Sequence, residues 1–266
     1  MRSLELSSPT FLGAVAWAAL VSAALAACRD SVRIPLSSSN AAPILLFNGT
    51  GTSANDVAAI EAILSRHHLA YSTSDSSQLN GMSGSRLGEY RLLIIPGGNF
   101  VTIGRSLGPR GAAKVHDAVE GGMSYLGICA GAFLAGNLAE GGLNLTSGVS
   151  FRFYAAEERG IRKAPVAISG VGTPTLDQYW EDGPQFTGWG AAVGRYPDGT
   201  PAIVEGTSGK GWVILSGVHP EAPESWRRGM TFTTPASADE AYAVMLIGAA
   251  LNRTWLPHDT RSPSGH

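Results

Sequence analysis

Four stretches of the chain, "APILLF", "YRLLIIP", "MSYLGIC" and "GWVILSG", are apolar almost without a break and too short for helices. Closed by Pro, Gly or Asn, such runs read as strands buried on both faces. Between them the period changes. "SANDVAAIEAILSRHH" sets Val57, Ile60, Ile63 and Leu64 on one helical face, with Ser53 as its expected cap. "GPRGAAKVHDAVEGG", residues 108–122, reads as a second helix ending in glycine, and "AGAFLAGNLA", residues 130–139, as a third directly after "MSYLGIC". "AYSTSD" is a weak strand. Strands alternating with helices predict parallel pairing and an α/β architecture. The second half breaks into the short strands "VAIS", "AAVGRY", "PAIVEG" and "GWVILSG", punctuated by "PDG" and "TSGKG"; the last two predict a hairpin. "SADEAYAVMLIGAALNRTW" is a closing amphipathic helix, with Ser237 as cap and Glu240 three residues on.

Composition narrows the class. The chain has 266 residues, 44% hydrophobic and 15% charged, with a net charge of −2 and no basic run. That suits one globular domain with an appended segment, and gives no footing for nucleic acid. The 34 glycines fall at turns rather than in a repeat.

The N-terminus reads separately. "FLGAVAWAALVSAALAA" is uncharged from Phe11 to Ala27 and closes on "LAAC", Leu25 to Cys28. Residues 1–28 are expected to be a signal peptide whose end resembles the lipobox of bacterial lipoproteins, with lipidation at Cys28. An ordinary signal peptide or an uncleaved anchor is the alternative. Residues 29–43, rich in Ser, Pro and Asn, read as a tether, residues 44–256 as the domain, and 257–266 as a tail. The expected location is the cell envelope, lipid-anchored and facing outside the cytoplasm.

There are two cysteines, so lipidation of Cys28 would leave Cys129 the only thiol of the mature domain. Cys129 lies in Gly127-Ile128-Cys129-Ala130-Gly131, a G-x-C-x-G at a strand-to-helix junction, the nucleophile-elbow pattern with Cys for Ser. Small neighbours let so tight a turn form, and the following helix turns its first N–H groups toward the sulfur. The alternative is a packing seam of small residues with Cys as a small hydrophobe. Of the six histidines, none has metal-ligand spacing with carboxylates or cysteine. His219 closes the strand "GWVILSGV" in "GVHPE". Pro220 holds it extended, so Glu221, two residues on, points to the same side and can orient the imidazole. By itself Glu221 reads better as a surface residue at a strand end; the combination with the elbow cysteine and His219 is what makes it specific.

"RLLIIPGGNF", "GICAGAFLAG", "YWEDGPQF", "YPDGTPAIVE" and "GKGWVILSGVHPE" together resemble, in order, the class I glutamine amidotransferase-like superfamily, and within it the biotin-protein-ligase N-terminal-type domain. The resemblance implies a flavodoxin-like three-layer sandwich, a mostly parallel central sheet with helices on both faces. It also implies a Cys129, His219, Glu221 triad and an oxyanion hole from the backbone N–H groups of Gly98 and Ala130. One position departs: glutamine-hydrolysing members carry Gln where this chain has Phe133. The sequence also presents no acceptor domain for ammonia. Tyr179, Trp180 and Phe186 of "YWEDGPQF", with Phe133, are a candidate aromatic wall or lid over the substrate; ordinary loop packing is the alternative.

The expectation is an exported cysteine hydrolase or amidase acting on a small-molecule or peptide-like substrate other than free glutamine. No metal or organic cofactor is implied. A binding module of the same fold without turnover, or a redox-active thiol, are the competing readings.

Overall fold

The computed structural model describes residues 42–139, 141–170 and 175–258. The expected signal peptide and lipobox with Cys28, nearly all of the expected tether, and tail residues 259–266 lie outside them. In chain order the elements are β1 (Ile44–Phe47), α1 (Ala54–Arg66), β2 (Tyr71–Ser74), α2 (Ser76–Gly81), α3 (Gly84–Leu87), β3 (Leu92–Ile95), α4 (Phe100–Gly121), β4 (Ser124–Ile128) and α5 (Ala130–Leu134). There follow β5 (Arg152–Phe153), β6 (Lys163–Ile168), β7 (Leu176–Glu181), β8 (Pro184–Gln185), β9 (Ala191–Arg195), β10 (Pro201–Ser208), β11 (Gly211–Ser216) and α6 (Ala236–Asn252).

The central sheet has seven strands in the order β2-β1-β3-β4-β11-β10-β9. From β2 to β11 every neighbouring pair is parallel, and β10 and β9 add an antiparallel edge. The four apolar runs are β1, β3, β4 and β11, buried at every residue. Their side chains alternate between two cores. Ile44, Leu46, Ile94, Leu126 and Ile214 face α1 and α6 through Ile60, Ile63 and Leu246. Leu45, Phe47, Leu93, Tyr125 and Val213 face α4 and α5 through Ile103, Val115 and Leu134. The α/β flavodoxin-like sandwich is therefore the observed architecture.

Several boundaries differ from the pattern. The helix expected over residues 108–122 begins earlier: Asn99 caps it by accepting the Thr102 N–H at 2.9 Å, and Gly108 (φ 62°, ψ 175°) with Pro109 kinks it midway. The Gly-Pro pair reads as a start in sequence, but Ile103 and Leu107 already face the core. The helix after the elbow stops at Leu134 instead of 139, because the returning chain takes its last carbonyls: Leu143 N–H bonds Leu134 O and Leu145 N–H bonds Ala135 O, both at 2.8 Å. Ser237 does not cap α6. Pro235, extended at ψ 151°, accepts the Ala238 N–H and starts the turn, leaving Ser237 inside it, while Glu240 pairs with Arg66 at 2.7 Å. "VAIS" belongs to β6, which pairs antiparallel with β7, and "YWEDGPQF" is the end of β7, a turn and β8 rather than a lid.

Leu126 sits on the central strand, 1% exposed. Leu126→Ala should lower unfolding free energy by about 2–5 kcal/mol in a urea titration, through lost burial and the cavity left behind; a change below about 0.5 kcal/mol would mean this layer is not the packed core.

Candidate active site

Parallel strands end on the same edge of a sheet, and the crevice outside their carboxyl ends is where such folds gather chemistry. Cys129 follows β4 at that edge, with φ 49° and ψ −102°. A non-glycine residue held there costs roughly 1–3 kcal/mol and persists only where the surroundings enforce it. Here the Cys129 N–H bonds Ser216 O at the end of β11 (2.8 Å), and the Gly131 N–H bonds Pro96 O after β3 (3.2 Å). Gly131 permits that approach: a Cβ on it would lie 1.9 Å from Ile95 O. The thiol is nearly buried, and its Sγ–H donates to the Glu181 carbonyl at 3.5 Å.

His219 is delivered by β11. Its backbone N–H bonds Tyr179 O at 2.8 Å, and the Tyr179 and Trp226 rings stand edge-on to the imidazole. Its Nδ1 is hydrogen-bonded to Glu221 Oε1 at 2.9 Å, so a proton sits on Nδ1, and Asp56 Oδ1 stands 3.2 Å from the same nitrogen as an ion-pair contact. Nε2 is buried and has no hydrogen-bond partner. Nε2 is the ring nitrogen on the side away from the acids.

Asp56 is the member that sequence reasoning missed. It lies in the first turn of α1, where an aspartate reads as helix-start chemistry. Its spacing was the available signal: Asp56, Ile60 and Ile63 share the buried face, and an acid on an apolar stripe needs a partner. Gly97 makes room for it, since a Cβ there would fall 2.0 Å from Asp56 Oδ1 and 2.9 Å from His219 Cε1.

The charges are strongly linked. Burial would push the imidazole toward neutrality, but Glu221, Cys129 and Asp56 outweigh it and hold His219 well above its ordinary value. Burial raises the Glu221 carboxyl despite the imidazole beside it. Burial also opposes ionisation of Asp56, yet its bond to His219 prevails and keeps it below the usual carboxylate range. Asp56 is therefore the ionised partner and Glu221 the one nearer protonation. The three ligand atoms lie within 4.8 Å of one another, near enough to bracket a divalent cation, a grouping no sequence spacing announced. The hydrogen bonds to Nδ1 account for that closeness.

Cys129, Ala130, Gly98, His219 and Asp56 line one cavity of about 340 Å³ with Phe100, Phe133, Phe153, Glu181 and Asp182. Among the described residues, neither the Gly98 nor the Ala130 backbone N–H meets a hydrogen-bond acceptor. Phe133 stacks on Phe100 with ring centroids 4.6 Å apart and meets Phe153 at 4.8 Å. The candidate wall needs correction at its other members. Tyr179 lies behind His219, its hydroxyl donating to Glu181 Oε2 at 2.6 Å. Trp180 is fully buried against Tyr154, its Nε1–H given to Gly183 O, because β7 alternates and Trp180 faces the core. Phe186 is buried against Phe151.

Residues 42–160 match the family described as "Biotin-protein ligase, N terminal". That stretch resembles a domain of that type, on a sheet with a glutamine amidotransferase-like fold. Over 163 residues it is 26% identical to a biotin–protein ligase of Schizosaccharomyces pombe (strain 972 / ATCC 24843), covering 49% of this chain and 25% of that one. The chain thus spans about a quarter of that relative's length. Among solved structures its fold is similar to a glutamine amidotransferase, with TM-score 0.58, 19% identity, and 80% of this chain and 100% of that one covered. It is also similar to the exo-β-1,4-mannosidase Op5Man5 of Opitutaceae bacterium strain TAV5, with TM-score 0.53, 17% identity and coverage of 77% and 36%.

The shared proton gives a testable pH signature. Asp56, held low, stabilises the fold above its unfolded carboxylate value and loses that contribution as pH falls through its folded value. His219, held high, contributes below its unfolded value of about 6.5 and loses that as pH rises through its folded value. The gap in thermal midpoint between wild type and Asp56→Asn should therefore be widest between those limits and narrow at both ends. The His219 imidazole resonances should titrate at lower pH in the variant. An unmoved His219 titration would mean Asp56 does not act on it.

Proposed function

We propose that the protein is a cysteine-dependent hydrolase or amidase, with Cys129, His219 and Glu221 as nucleophile, base and orienting acid. The observation that carries this reading is the buried, partnerless Nε2 of an imidazole whose Nδ1–H is held by Glu221 and Asp56, lining one cavity with Cys129. Such a nitrogen can only act on what enters the cavity. In the proposed cycle the thiol proton rests on His219 Nε2, since the raised proton affinity of the imidazole favours an imidazolium–thiolate pair, and the thiolate attacks the acyl carbon of an amide or ester. The Gly98 and Ala130 N–H groups receive the oxyanion. His219 returns the proton to the departing amine or alkoxide, leaving a thioester. A water, deprotonated by the same nitrogen, then cleaves the thioester, so one water is consumed per bond broken.

The substrate is a small molecule or a peptide-like chain. Phe133 argues against free glutamine: stacked between Phe100 and Phe153, it offers a ring where a polar substrate would need a hydrogen-bonding side chain. A substrate polar group buried unpaired loses roughly 1–3 kcal/mol. The proposal includes a place in the cell envelope, held by a lipid on Cys28, resting on "LAAC" alone. No helix among the described residues is long and apolar enough to cross a membrane. One observation favours a binding module instead: the Cys129 thiol donates a hydrogen bond to the Glu181 carbonyl at 3.5 Å.

A panel of amide and ester probes incubated with the purified protein should leave an acyl adduct on Cys129, read by mass spectrometry and absent in Cys129→Ala. His219→Ala should slow adduct formation by about 10²–10⁴-fold. No adduct from any probe, with the cavity accessible to neutral thiol reagents, would leave the binding module. Glutamate release from free glutamine should stay below about 1 s⁻¹, the low end of ordinary turnover; a faster rate lost in Cys129→Ala would overturn the role given to Phe133.

A further inference from the structure

The cavity around Cys129 has a one-sided charge. Its lining residues include Asp56, Glu181 and Asp182 and no lysine or arginine. Asp56 is committed to His219, but the other two are not consumed in the same way. Glu181 is exposed, and its Oε2 accepts a neutral hydroxyl from Tyr179. Asp182 Oδ1 is buried and has no hydrogen-bond partner, and burial raises the Asp182 carboxyl above its ordinary value. The cation nearest it, Arg162, stands 3.5 Å from Oδ2, is 64% exposed at its side chain, and is bonded more closely to Glu157 at 2.6 Å. One guanidinium at the surface is thus shared between two carboxylates.

These acids are held in place. Asp182 adopts φ 46°, a left-handed conformation in which non-glycine residues are uncommon. Its N–H bonds Arg162 O at 3.0 Å, and the following Gly183 carbonyl receives the Trp180 indole N–H at 3.2 Å. The same turn touches the nucleophile, since the Glu181 carbonyl is the acceptor of the Cys129 thiol. Across the cavity stand Phe100, Phe133 and Phe153. Aromatic faces and carboxylates attract the same ligand chemistry, an ammonium or guanidinium, and the apolar walls strengthen that attraction by excluding water. His219 Nε2, buried and unpartnered, marks where the reacting atom of such a ligand would come.

We infer that the site takes substrates bearing a cationic group close to the acyl carbon, with Glu181 and Asp182 as the residues that select them. The inference rests on the proposal that Cys129 is the group meeting the substrate, and its test needs no turnover. Three methanethiosulfonates serve as probes: the small neutral methyl reagent, and two charged ones of comparable size, cationic trimethylammonioethyl and anionic sulfonatoethyl. The Cys129 thiolate displaces methanesulfinate from each and becomes a mixed disulfide, followed by mass. Each rate is divided by that of the same reagent with 2-mercaptoethanol. The cationic reagent should then exceed the anionic by at least about tenfold at low salt, and the ratio should fall as salt is added. Asp182→Asn and Glu181→Gln should each lower the ratio. Arg162→Gln, at an exposed position, should raise it, so a change in the opposite sense guards against general disruption of the turn.

A ratio near one, a preference for the anion, or no reaction even with the neutral reagent would overturn the inference. So would a cationic preference that none of the three substitutions alters. Acyl transfer and charge selection can fail separately. A cationic preference without any acyl adduct would reject the hydrolase proposal and keep the selection; adducts formed equally from cationic and anionic probes would do the reverse.

Discussion

One constraint governs the functional edge of this molecule: the chain leaving β4 must turn within a space set by its two neighbouring strands. Cys129 N–H is bonded to Ser216 at the end of β11, and Gly131 N–H to Pro96 at the end of β3. Both strands run parallel to β4, so all three deliver their carboxyl ends to the same place. Cys129 makes this turn at a positive φ of 49° with both bonds in place. The same register brings the chain after β11 to His219 and the chain after β3 to Gly97 and Gly98. The cavity is thus a consequence of sheet order more than of any single loop.

Onto that edge the fold loads an unusual quantity of buried charge. Two carboxylates and an imidazole, each nearly inaccessible, would be costly separately, and the fold keeps them because they share one proton. Asp56 comes from α1 and Glu221 from the segment after β11, so the pairing also ties the first helix to the second half of the chain. The arrangement orients His219 from two sides and turns Nε2 away from the acids. Where a single acid would allow the ring to rock, two acids and the flanking Tyr179 and Trp226 rings hold it.

Most strands, most helices and the candidate residues Cys129, His219 and Glu221 were legible in the sequence, since short apolar runs, a G-x-C-x-G and a His-Pro-Glu are local signals, whereas β5, β7 and β8 were not. What escaped was carried by tertiary contacts. Asp56 looks like helix-start chemistry until β3 and β11 bring Gly97 and His219 against it. Trp180 sits among polar neighbours in "YWEDG" and reads as a lid, yet strand alternation, invisible until β7 is paired with β6, turns it into the core. Ser237 is a good cap by type, but Pro235 two residues earlier starts the turn. Leu134 ends its helix because a loop of the same chain returns to take the carbonyls, which no local pattern encodes.

The central claim is that His219 acts on Cys129. The most direct measurement is the rate at which Cys129 is alkylated by neutral iodoacetamide near pH 7, compared between wild type and His219→Asn, with circular dichroism to establish that both are folded. The account predicts that wild type reacts faster by about tenfold or more, as imidazole partnership with a thiol requires. Equal rates in two folded proteins would contradict it, and would make Cys129 a packing residue that lines the cavity by position alone.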